Sequence, residues 1–105
     1  MMDVYRVNIT DTAKQDIKDV GRYIAGELQE PVIAVNAINA ILDAIDSLEQ
    51  MPDRISFVKD KRLAAQGIRP LYVKNYTVFF SIEKSPDIVS IIRVLYSHRD
   101  WASIL

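Results

Sequence analysis

A chain of 105 residues, half of them hydrophobic and 26% charged, has room for one core and needs no staples to build it. The absence of Cys excludes a disulfide framework and thiol chemistry. The net charge of −1 hides an asymmetry: residues 1–53 hold four Lys and Arg against ten Asp and Glu, whereas residues 54–74 hold six against Asp60 alone. An acidic body with a basic segment of +5 suits an acidic or polyanionic partner, or simply a solvated loop. The opening Met1-Met2-Asp3-Val4-Tyr5 lacks a basic and an apolar leader region, so no signal peptide is expected. The run Ile88 to Tyr96 is too short to span a bilayer and carries Arg93, so the chain reads as soluble and cytoplasmic, without a membrane partner.

Val4 to Ile9 reads as a first strand, with Tyr5, Val7 and Ile9 on one face. Thr12 and Gln15 suggest a capping box, with Thr10 as the other candidate cap. Ala13, Ile17, Val20, Ile24 and Leu28 then recur at helical spacing, and Pro31 ends that helix and opens the next. Ala34, Ile38, Ile41, Leu42, Ile45 and Leu48 form the second stripe, which ends near Met51-Pro52-Asp53. The short connection predicts an antiparallel helical hairpin. Residues 53–67 show no period and read as a basic, irregular connection.

Three antiparallel strands should follow, with turns at Asn75 and at Glu83 to Asp87. Tyr76, Val78, Phe80 and Ile82 alternate along one strand, and Ile88, Ser90, Ile92, Val94 and Tyr96 along the next. Ser97 to Leu105 is a short tail whose Trp101, Ile104 and Leu105 are expected to anchor on the core. The whole chain, 1–105, is expected to be one α+β domain: strand, helical hairpin, then a three-stranded antiparallel meander. Ile17, Ile24, Ile38, Ile41, Ile45, Val78, Phe80, Ile92 and Val94 should be buried between hairpin and sheet.

Several words stand in a telling order: Tyr5-Arg6-Val7-Asn8-Ile9-Thr10, Val20-Gly21-Arg22-Tyr23-Ile24, Leu48-Glu49-Gln50-Met51-Pro52, Gln66-Gly67-Ile68-Arg69, Asn75-Tyr76-Thr77-Val78-Phe79-Phe80, and Arg93 through Trp101. Together they resemble the RelE/ParE family of bacterial type II toxin–antitoxin toxins, the plasmid stabilisation proteins, over nearly the whole chain. The resemblance implies a growth-arresting toxin neutralised by a cognate antitoxin in a hetero-oligomer. It implies no cofactor and no metal. Two activities share this fold, so fold alone does not choose between them. RelE-like members cut mRNA in the ribosomal A site, and ParE-like members bind DNA gyrase without catalysis. The first is put slightly ahead. The second is the alternative, with an inactive antitoxin-binding relative as the third reading.

Metal-free RNA cleavage needs a base, an acid and a cation on the phosphate. Arg69 matches the Arg that opens the second strand in many of these toxins, and its planar fork suits a phosphate. His98 is the sole His and stands where some relatives place a terminal-region His. Many relatives instead read Arg-Arg-Asp across His98-Arg99-Asp100. Arg69 and His98 are therefore the catalytic candidates. Lys59, Lys61, Arg62 and Arg99 are the candidates for target or phosphate binding. Neighbouring antiparallel strands are expected to bring the Arg69 and His98 ends together. Arg93, projecting beside Leu95, is read as an ion pair with a helix carboxylate. Tyr72, Tyr76 and Tyr96 are read mainly as packing.

Overall fold

A computed structural model describes residues 4–105. The first strand, β1 (Arg6–Ile9), leads into α1 (Asp11–Arg22), a single π-helical turn (Tyr23–Glu27) and α2 (Pro31–Asp46). Thr10, not Thr12, caps α1: its Oγ1 accepts from the Ala13 amide at 3.2 Å and donates to the Ile91 carbonyl at 2.7 Å. Bonding to the strand alongside fixes Thr10 as the last extended residue, so the helix starts one residue later. Gln15 donates to Asp19 on its own helix instead of closing a capping box. The helices lie close at Gly21, where a Cβ would stand 2.6 Å from Ile38 Cδ1.

The meander comprises β2 (Arg69–Val73), β3 (Tyr76–Lys84) and β4 (Asp87–Tyr96). Lys74 and Asn75 make its first turn, with Lys74 left-handed at φ 55°. The sheet order is β1-β4-β3-β2. β1 runs parallel to β4, so the four-stranded sheet is mixed, while β2, β3 and β4 pair antiparallel as expected.

One irregularity changes which residues face the hairpin. Phe79 pairs with Arg93 and Phe80 with Ile91, so Ile92 is the extra residue of a β-bulge. The alternation of β4 therefore changes phase at Ile92. Val89, Ile91 and Val94 join Val78 and Phe80 under the hairpin, against Ile17, Ile24, Ile41 and Ile45. Ile92, expected in that core, is half-buried on the opposite face, and Ile38 is only partly buried where it meets α1.

The second face of the sheet is also covered. A short helix, α3 (Lys61–Ala65), and the terminal turn α4 (Trp101–Ile104) close it. Leu63, Val58, Ile68, Phe79 and Leu95 form a second buried cluster, with Trp101 packed 5.2 Å from the Phe79 ring. Where an irregular loop was expected, Asp60 caps α3 by accepting from the Leu63 amide at 3.1 Å. Gly67, at φ 81°, ends it as a Schellman motif: Ile68 N–H donates to Leu63 O and Gly67 N–H to Ala64 O.

By length and composition, Pro31–Glu49 is apolar enough to cross a membrane, a property not read from the sequence. Ala34, Ala37, Ile41, Ile45 and Leu48 on that stretch are part of the core.

Candidate functional site

Arg69 begins β2 in register with Phe80, at the middle of β3, and Tyr76 at the start of β3 pairs with Tyr96. His98 follows Tyr96, just past Ser97, whose amide donates to Asn75 O at 2.8 Å. Four residues of β2 separate the Arg69 row from the Val73–Tyr76–Tyr96 row. At the usual strand rise and spacing, that is roughly 13 Å along the strands and about 10 Å across two of them. Arg69 therefore sits on the middle row of the sheet, on its edge strand, and His98 lies beyond the end of β4. The expected meeting of these strand ends does not occur, because β2 opens at the Phe80–Ile91 row and only its last residue reaches the Tyr76–Tyr96 row.

The Arg69 guanidinium is engaged with the chain. Nη1 donates to the Ile55 carbonyl, and the group lies 4.1 Å over the Phe57 ring. It thereby pins residues 55–57 beside the start of β2, a cation on an aromatic face. Its Nε is buried without a hydrogen-bond partner. Lys59 is exposed in the following segment, and Lys61 and Arg62 are exposed on α3. Arg62 Nη2 donates to the Ala102 carbonyl at 2.9 Å, tying α3 to α4.

His98 is exposed and rests against the Tyr96 ring at 5.3 Å. Arg99, close by, lines a hollow of the molecule. That hollow is a groove of about 870 Å³ between the bend of the hairpin and the end of the sheet. Tyr23, Leu28 and Ile33 form one wall, and Tyr76 and Tyr96 the other. Asp19 and Glu30 stand on the hairpin side, Lys74 and Arg99 on the sheet side. Tyr76 and Tyr96 meet edge-on at 6.0 Å. Burial, then the Tyr23 and Tyr96 phenols, push the Tyr76 hydroxyl above its ordinary pKa of 10.0.

Arg93 is paired as expected with a helix carboxylate. Its Nε is 2.7 Å from Asp16 Oδ2 and Nη2 2.9 Å from Oδ1. Asp16 also accepts the Val94 amide at 2.9 Å. The hydrogen bond that Arg93 donates to Asp16 raises the Arg93 pKa above its ordinary value, against the opposing effect of burial.

The basic residues are thus dispersed. Lys59, Lys61 and Arg62 lie on the side of the second cluster, Arg69 at a sheet edge, and His98 and Arg99 at the far end. The groove was missed by sequence reasoning, although exposed apolar residues at Tyr23, Leu28 and Ile33 next to the hairpin bend were a signal for it. Among the described residues no group of three or more His, Asp or Glu is placed to hold a metal ion.

Comparison with known proteins follows the same lines. The chain resembles the toxin fold of the chromosomal ParDE toxin–antitoxin system of P. aeruginosa, with a TM-score of 0.73 and 17% identity over 90% of this chain and 97% of that one. It also resembles a chain of the RelBE2 toxin–antitoxin complex of Mycobacterium tuberculosis, with a TM-score of 0.65 and 21% identity over 91% and 94% of the two chains. No curated protein sequence matches it. The family model for the ParE toxin of the type II toxin–antitoxin system parDE matches residues 7–101, nearly the whole chain. The chain belongs to this family of toxins, within the broader RelE/ParE group.

Proposed function

We propose that this toxin arrests growth by holding a protein target, as ParE-like members hold DNA gyrase, and does not itself cut RNA. This reverses the order in which the two activities are put by sequence alone. The observation that carries the reading is the separation of Arg69 from His98 across the sheet. Cleavage would need cation, base and acid around one phosphate. Two further features support it. Asp16 occupies Arg93, and the second cluster roofs the sheet face beside Lys61 and Arg62. Arg69 then acts as a clamp on residues 55–57, and His98 with Arg99 as part of the target- or antitoxin-facing rim.

The partner that neutralises it is an antitoxin. An amphipathic segment of that protein seats its apolar side chains in the groove, and an acidic stretch covers the basic region 54–74. Residues 1–105 act as one domain in a toxin–antitoxin hetero-oligomer. The target lies in the cytoplasm, and so does the toxin.

A supercoiling assay run beside cell-free translation with mapping of mRNA ends tests this. The expected result is inhibited supercoiling and no new mRNA ends. Codon-phased cuts with unaffected supercoiling would replace the reading by ribosome-dependent cleavage.

A further inference from the structure

The outer side of α2 is apolar where a solvated helix face is ordinarily polar. Val32, Val35 and Leu42 are 71%, 57% and 37% exposed. With Asn39 they recur at the three- and four-residue steps of one helix row, on the side away from buried Ala34, Ala37, Ile41 and Ile45. No charged residue occurs from Pro31 to Leu42. One turn past Leu42 the row ends in Asp46, with Asp43 beside it, both exposed.

Among the described residues these carboxylates have no ion-pair partner. The ion pairs among the described residues are Lys84 with Asp53 and Arg93 with Asp16. From residue 23 to 53 the chain has six Asp and Glu and no Lys or Arg. That balance disfavours a second copy of the same helix, which would set acid against acid. It favours an apolar partner face flanked by cations.

We infer that the outer face of α2 docks a basic amphipathic helix of the toxin's protein target, an inference that rests on the function proposed above. Apolar side chains of that helix pack on Val32, Val35 and Leu42. Its Lys or Arg residues lie against Asp43 and Asp46. The groove draws on Ile33 and Ala37, on other sides of α2, so a segment seated there leaves Val35 and Leu42 open.

The test uses the full chain with two separate surface substitutions, Val35→Lys and Asp46→Lys, each at an exposed position. The probes are purified gyrase in a supercoiling assay and the cognate antitoxin in a binding assay. Both variants should keep the wild-type unfolding midpoint and antitoxin affinity. Both should need at least ~tenfold more protein to inhibit supercoiling, and both should lose growth arrest. If wild type inhibits gyrase and Val35→Lys inhibits it equally, the surface assignment falls. Stronger inhibition by Asp46→Lys would mean an acidic partner and overturns it too. Equal loss of antitoxin binding would make the face the antitoxin's seat. Dimerisation, or co-sedimentation with anionic phospholipid vesicles, that Val35→Lys abolishes would give the face to a second copy or a membrane. Each of these overturns the inference. If wild type leaves supercoiling untouched and cuts mRNA, the target reading itself fails, before any variant is compared.

Discussion

Asp16 is the residue on which the bulged strand depends. β1 ends at Ile9, opposite Ile91, so the β4 edge beyond has no strand partner. Thr10 takes the Ile91 carbonyl and Asp16 the Val94 amide, while Arg93 folds over to complete the carboxylate's bonding. Asp16→Ala removes three hydrogen bonds and leaves Arg93, whose side chain is 23% exposed, without its counter-charge. It should cost about 3 kcal/mol in urea unfolding. Asp16→Leu with Arg93→Met should recover part of that loss, because no stranded charge remains. Arg69→Met should leave growth arrest intact in protein expressed at wild-type level, since the guanidinium spends its reach on Ile55 and Phe57. Loss of arrest in that folded variant would return Arg69 to the target site. At Tyr76 the sign follows from the raised pKa. The folded state holds the neutral phenol, so its contribution is complete below the ordinary value of 10.0 and fades as pH rises above it. Tyr76→Phe should flatten the alkaline loss of stability expected of the wild type, read as unfolding midpoint against pH.

At the scale of elements, the regular parts were legible where periodicity and burial agree; Leu28 and Leu42 fit the hairpin stripes by spacing but are exposed, one at the groove and one on the outer side of α2. The hairpin stripes, the β3 alternation and the Pro31 boundary all follow from spacing alone. Ile41 is 1% exposed at the centre of the α2 stripe, and Ile41→Ala should lower stability by about 2–5 kcal/mol. What spacing misses is a single inserted residue. Ile92 shifts β4 by one position, and no local composition marks it, since Ile91 and Ile92 are chemically alike. α3 left a readable trace that periodicity overlooks in so short a helix: Asp60 at one end and Gly67 at the other. Gly67→Ala puts a Cβ on a residue at φ 81° and should cost about 1 kcal/mol. Leu63→Ala should cost about 2–5 kcal/mol, because Leu63 is fully buried in the second cluster. The candidate site was the least legible part. Residue types at strand ends were identified correctly, but their distances depend on which strand ends are neighbours, and that is a property of topology.

For the molecule as a whole, charge and apolar surface divide the labour. Residues 23–53 carry six carboxylates and no cation, and residues 54–74 carry a net +5. The groove holds exposed Tyr23, Leu28 and Ile33 at the hairpin bend, and the basic residues Lys59, Lys61 and Arg62 are exposed elsewhere on the chain. An antitoxin that fills the groove and lays an acidic stretch on the basic segment draws on two different forces. Apolar burial in the groove is nearly independent of salt. The attraction between exposed charges is screened once the Debye length falls from ~14 Å to a few ångströms. Raising salt from ~0.05 to ~0.5 M should therefore weaken antitoxin binding without abolishing it. Isothermal titration with the Lys59→Glu/Lys61→Glu variant should then show weaker binding at low salt and a shallower salt slope. Substitution of Tyr23 by Ser should lower affinity equally at every salt concentration. A salt-independent wild-type affinity would leave the groove as the whole of the interface and remove the basic segment from it.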